Sequence, residues 1–328
     1  MRSRSGMVRS ICAAIAMSAL CAGALADMPE PLQSSPTILP AAAPTPELAR
    51  FVAITQRVER IARDISDAAG GECANRWRHP GMLTHTVKDY PRALRNAARN
   101  FAGREPSVLM VTDPALATTV QPGDVIIGPA GKAVASSSLS LQAQLALGRM
   151  TLRRAGETLT VRHVPEKICY RPVRIIRSLE PKARTKPDAI EISRSLVDFS
   201  RSESELAFVI AHEMSHFMLD HPRILASARK DGSLSPALRR RLEREADRGA
   251  FYLLSRSGYD PAAGLVFLER TGALRDIPLL GLSSHPTRQE RLADGRKTIA
   301  FIASAADSPD PDAMQTIKGF VARLSAAP

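Results

Sequence analysis

Residues 207–219, AFVIAHEMSHFML, place two histidines and a glutamate inside an otherwise apolar run. Ser202 followed three residues later by Glu205 is a capping-box signature, so a helix is expected to start there and run through the segment. On that helix His212 and His216 stand at i and i+4, one above the other on one face. Two imidazoles so placed can bind one Zn²⁺, with Glu213 beside the metal as a base. The plain alternative is a pair of core or surface histidines. The apolar flanks argue against it, because unpaired polar groups on a buried helix are costly and a metal would satisfy them.

Zinc needs a third protein ligand. His221 lies five residues past His216, on another face and just before Pro222, and is expected to cap the helix end rather than bind metal. RRRLEREADRGAFYLLSRSG, 239–258, is the better source. Following Ser235-Pro236 it should form a second helix, with Leu242, Ala246, Ala250 and Leu253 along one side. Glu243 and Asp247 are again i and i+4, directed the same way. Glu243 could complete a His₂Glu site with a fourth position open to water. Asp247, one turn on, could hold a ligating histidine by its second ring nitrogen. Taken alone, EREAD would be a solvated, salt-bridged helix face.

SELAFVIAHEMSH followed by EREAD resembles the zinc metallopeptidases related to the CAAX prenyl proteases and the HtpX proteases. Their third element, HPxxxxR, is matched here by His285-Pro286-Thr287-Arg288-Gln289-Glu290-Arg291. The resemblance covers about 170–300 and implies one Zn²⁺ per chain held by His212, His216 and Glu243, with Glu213 catalytic. In some soluble periplasmic relatives the histidine matching His285 approaches the zinc and can block it. Asp247, His285 and Arg291 are therefore supporting or regulatory candidates, and Tyr252, His285 and Arg291 are candidates for stabilising an oxyanion. Two departures touch no ligand: SRSLVDF lacks the glycine usual before the active-site helix, and ARTKPDAIEIS lacks the usual NA start. By analogy with other proteases of this shape, AIEIS (189–193) is expected to be the sheet edge that holds an extended substrate.

The elements that must position these groups give an α+β expectation: a mainly helical, zincin-like metallopeptidase domain with a small sheet, plus a β-rich PDZ-like insert. Arg2, Arg4 and Arg9, then ICAAIAMSALCAGALA, read as a secretory signal over 1–26. A Pro/Ala-rich leader follows over 27–47, then an N-terminal helical segment over 48–105. In it the helix carrying Phe51, Ile54, Val58, Ile61 and Ile65 ends at Gly70-Gly71, and the stretch 73–105 is mixed, with no clear pattern. Short β-like runs from SVLMV to TLTVRHV, with a short helix at 141–147, fill 106–166. VQPGDVIIGPAGKAV within them resembles the xPGDxIxxxxGxxV stretch of PDZ domains, which capture extended peptides at a sheet edge. The peptidase domain is expected over 167–305 and a tail, with one last short helix, over 306–328.

Cleavage of the signal would remove Cys12 and Cys21, leaving Cys73 and Cys169, which in an exported chain are expected to pair. The formal charge would fall by three, from +12 to +9, as Arg2, Arg4 and Arg9 leave. Such a balance can signal nucleic acid. Here aromatic residues make up only 4% of the chain, with no aromatic-basic interleaving, and export removes that partner. The expected protein is a periplasmic or secreted zinc endopeptidase with no transmembrane span in the mature chain. It would act on unfolded or misassembled envelope polypeptides, with envelope or outer-membrane assembly proteins as further partners. The alternative is a peptide-binding chaperone or assembly factor with a structural or latched zinc site.

Overall fold

Thr45 opens the first helix, α1 (Pro46–Ala68): its side chain accepts from Leu48 N, and Pro46 takes the first helical position, where no amide hydrogen is needed. The computed structural model describes residues 44–70, 73, 76–100, 102–128, 148–165, 167–186, 188–272, 286–305 and 316–326. The signal at 1–26, the leader up to residue 43, the short helix at 141–147 and His285 lie outside these residues. All described residues belong to one unit, which begins at Thr37.

The N-terminal segment, 48–105, is helical up to Ala68 and mixed beyond it, as its residues indicate. After α1 come β1 (Trp77–Arg78), β2 (Met82–His85) and α2 (Arg95–Ala98). β3 (Ser107–Val111), β4 (Val125–Ile127), β5 (Arg149–Arg154) and β6 (Glu157–Arg162) join β2 in an antiparallel sheet of order β2-β3-β4-β5-β6. This sheet thus starts at Met82, ahead of the expected boundary at 106, because MLTH pairs with SVLMV across a loop too long to read as a hairpin turn. Its own small core is Met82, Val108, Leu116, Val120, Ile126, Met150 and Leu152. The PGD turn is tied from below: buried Asp124 accepts from Gln121 N and from both Nε and Nη2 of Arg154, at 2.7–2.8 Å.

β7 (Lys167–Ile168) pairs with β1, and Cys169 beside it is bonded to Cys73, with Cα atoms 5.6 Å apart. β8 (Val173–Ile176), β9 (Ala183–Thr185) and β10 (Ile190–Ser193) form a second sheet of order β8-β10-β9. β10 is parallel to β8 and antiparallel to β9. AIEIS is therefore the middle strand, not the edge. A hairpin folds Ala183–Thr185 back over it, and those three residues, set in a polar loop with no alternation, take the edge.

The helices that follow are α3 (Arg194–Phe199), α4 (Glu203–Met218), α5 (His221–Lys230), α6 (Pro236–Arg256), α7 (Ala262–Gly272), α8 (Arg288–Ala305) and α9 (Ile317–Ala326). α4 is buried along most of its length and packs on α1, α6 and α7. Phe208 is fully buried against Phe251 and Phe267, a burial that contributes on the order of 2–3 kcal/mol. Gly264 permits this approach, since a Cβ there would sit 2.5 Å from the Phe208 ring. The tail segment supplies core as well: Ile317, Phe320 and Val321 are buried, and Phe320 stacks on Tyr252 at 4.7 Å. Among the described residues, no helix is long and apolar enough to cross a membrane.

Candidate metal centre

Ser202 caps α4 by accepting from Glu205 N at 3.1 Å. The Glu205 carboxylate does not close the box on Ser202. It accepts from Arg201 N at 2.7 Å and from Nη1 of Arg270, whose Nη2 also donates to Phe199 O. The first turn of α4 is thereby fastened to α7, and a rigid start fixes the phase of everything two turns on.

That phase directs His212 and His216 toward α6, where Ser235 caps the helix and Leu242, Ala246, Ala250 and Leu253 lock one side into the core. The two helices come very close where Gly249 faces Ser215: an added Cβ would lie 2.6 Å from Ser215 Oγ and 2.9 Å from its Cβ. The close crossing brings Glu243 between the histidines. His212 Nε2 and His216 Nε2 are 3.1 Å apart, and the Glu243 carboxylate oxygens lie 3.6 Å from the first and 3.7 Å from the second. A tetrahedral ion with bonds of about 2.0–2.1 Å has ligand–ligand edges of roughly 3.3–3.4 Å, so this donor set fits zinc. Among the described residues, this trio is the one group of His, Cys, Asp or Glu close enough to hold a metal.

The groups behind the trio are drier than the trio itself. The ligand side chains keep 13–19% exposure, whereas Asp247 keeps 2%. Asp247 Oδ1 lies 2.9 Å from His212 Nδ1, and Arg291 donates through Nε and Nη2 to both Asp247 oxygens at 2.7 and 2.6 Å. Burial alone would raise the Asp247 carboxyl, but Arg291 and His212 outweigh it and hold it at about 2. For His212, burial opposes the charge while Asp247 and Glu243 favour it, and the balance raises the metal-free imidazole to about 10. Burial and the neighbouring His212 lower His216 to about 3.

Glu213 meets the sheet at Thr185. Burial raises its carboxyl, against the opposing pull of His212 and of Thr185. The Thr185 hydroxyl, on edge strand β9, lies 2.8 Å from both Glu213 Oε2 and Glu213 O. Nothing in ART marked this threonine in the sequence, since the contact depends on how the hairpin folds back.

Two expectations are corrected here. Tyr252 is not at the site, because it faces the Phe320 ring in the core, more than two turns along α6 from Glu243. His221 does not cap α4: Asp220 turns the chain at φ 63°, and His221 begins α5, fully buried, with Nδ1 2.9 Å from His216 Nδ1. Arg291 reaches the centre through Asp247, as its bidentate bond shows.

Residues 152–235 match the sequence model of Peptidase family M48, a family of metallopeptidases. The matched stretch opens within β5 and contains His212, Glu213 and His216 but ends before Glu243. No curated protein sequence matches the chain.

Proposed function

We propose that this chain is a zinc-dependent endopeptidase that cleaves unfolded or misassembled polypeptides of the cell envelope, exported by the signal at 1–26. The convergence of His212, His216 and Glu243 on one partly open point, with a buried carboxylate beside it, carries the reading. When bound, zinc acidifies a water molecule and polarises the scissile carbonyl. Thr185 occupies Glu213 Oε2, which leaves Oε1 to take the proton of the attacking water. The same carboxyl, raised by burial, then returns that proton to the leaving amine nitrogen as the C–N bond breaks. Asp247 fixes His212 and is itself fixed by Arg291.

Edge strand β9 suits an extended substrate, since it pairs with β10 alone among the described residues and carries Thr185, which touches Glu213, so a peptide backbone can pair with it next to the centre. The sheet from Met82 to Arg162, with a PDZ-like segment at 106–166, offers β6, an edge strand among the described residues, as a second site for the same kind of chain. That second edge supports the other reading, a peptide-binding assembly factor with a dormant centre. Cleavage of casein by wild type and Glu213→Gln separates the two. The peptidase reading expects a fall of about 10²–10⁴-fold in the variant and loss of wild-type activity with chelator. Equal cleavage by both proteins contradicts it. Zinc and peptide binding by both without cleavage selects the assembly factor.

A further inference from the structure

The two histidines of the centre are supported in different ways. His212 presents its second nitrogen to a carboxylate, that of Asp247. His216 presents Nδ1 to another imidazole, His221 Nδ1, at 2.9 Å, with ring centroids 5.0 Å apart and planes at 74°. Between two such nitrogens one must donate and the other accept, and the far side of His221 decides which. His221 Nε2 lies 3.2 Å from Glu245 Oε2. The contact is an ion-pair distance rather than an aligned hydrogen bond, since His221 Nε2 has no hydrogen-bond partner among the described residues. Even so, an ionised carboxylate this close repels a nitrogen lone pair and favours an N–H, so Nε2 carries the hydrogen and Nδ1 offers its lone pair to His216. His216 then keeps its hydrogen on Nδ1, and its Nε2 lone pair faces Glu243 and His212.

We propose that His221, oriented by Glu245, is a positioning residue that fixes the tautomer and ring plane of His216 for metal binding, an assignment that rests on the zinc reading above. Three features of the fold serve this contact. Asp220 adopts a left-handed conformation, uncommon outside glycine, which folds His221 back beneath the last turn of α4. Glu245 stands on α6 two residues past Glu243, so one helix supplies both a ligand and the anchor of the opposite ligand's support. Arg241, one turn earlier, lies 3.5 Å from the other Glu245 oxygen and holds the carboxylate in place.

The test compares zinc affinity of the full chain, by competition with a chromogenic chelator, in wild type, His221→Leu and His221→Asn. Asparagine places Oδ1 where Nδ1 stood and can accept from His216, whereas leucine fills the space without accepting. The expected result is about 10–100-fold weaker zinc binding for His221→Leu, with His221→Asn within a few-fold of wild type. Leucine binding as tightly as wild type overturns the assignment, and so does asparagine binding as weakly as leucine, which would mark His221 as mere filling. Failure of the wild type to bind zinc overturns both this assignment and the reading it rests on.

Discussion

The helical region around α4 and α6 and the five-stranded sheet from Met82 to Arg162 solve burial in opposite ways. The helical core draws on residues from Ile54 to Val321, and its metal-capable groups sit on the walls of that core. The sheet core is built within Met82–Leu152 alone and encloses no such group among the described residues. α1 joins the two, with Ile54–Ile65 in the helical core and Leu48, Phe51 and Val52 packed with Leu94 and Leu109 of the sheet's side. The centre is thus a product of long-range packing, and damage to either core should not affect it equally.

Truncation of each core is the strongest way to break this contrast. Phe208→Ala should cost about 3–5 kcal/mol and weaken metal binding with it, because the ring backs His212 at 6.5 Å. Leu152→Ala should cost about 2–5 kcal/mol in denaturant unfolding while metal stoichiometry stays intact. Metal loss in the Leu152 variant would erase the distinction.

Acid should separate the regions next. Burial lowers His85, on β2, to about 4. The unfolded imidazole titrates near 6.5 and so binds more protons than the native one between these values. The stability it contributes is full above about pH 6.5 and is lost as pH falls toward 4. His85→Phe should flatten that limb in pH-dependent unfolding, and an unchanged limb would assign it elsewhere. Asp247 has a different window: held at about 2, it contributes above the ordinary carboxylate value and loses that only as pH falls toward 2.

The smallest expected effect is on the helix crossing itself. Gly249→Ala forces a methyl against Ser215 and should cost about 1–3 kcal/mol. If the close approach sets the Glu243 position, the same variant should bind zinc less tightly, and Gly123→Ala in the sheet turn should not.

What the sequence disclosed follows from range. His212, His216, Glu243 and Asp247 are i, i+4 pairs on two helices whose caps, Ser202 and Ser235, are written in the residues themselves, so their faces were legible locally. The strand pairing was not. Ala183–Thr185 has no alternation to announce it, and only the hairpin makes it the edge in place of Ile190–Ser193. Thr185 could not be seen beside Glu213 for the same reason. Spacing along a straight helix sets His221 at the helix end and takes no account of the left-handed turn at Asp220, which folds it beneath His216 instead. The last helix lies in the stretch whose residues read as a tail, yet Phe320 completes the packing around Tyr252, a contact between residues 68 positions apart.

The central claim is that three side chains from two helices make one zinc site. Metal analysis of the purified full chain, with His216→Ala and Glu243→Ala beside it, addresses it most directly. The account predicts one zinc per wild-type chain and loss of stoichiometric zinc in both variants, with the fold retained. Stoichiometric zinc in either variant would contradict it.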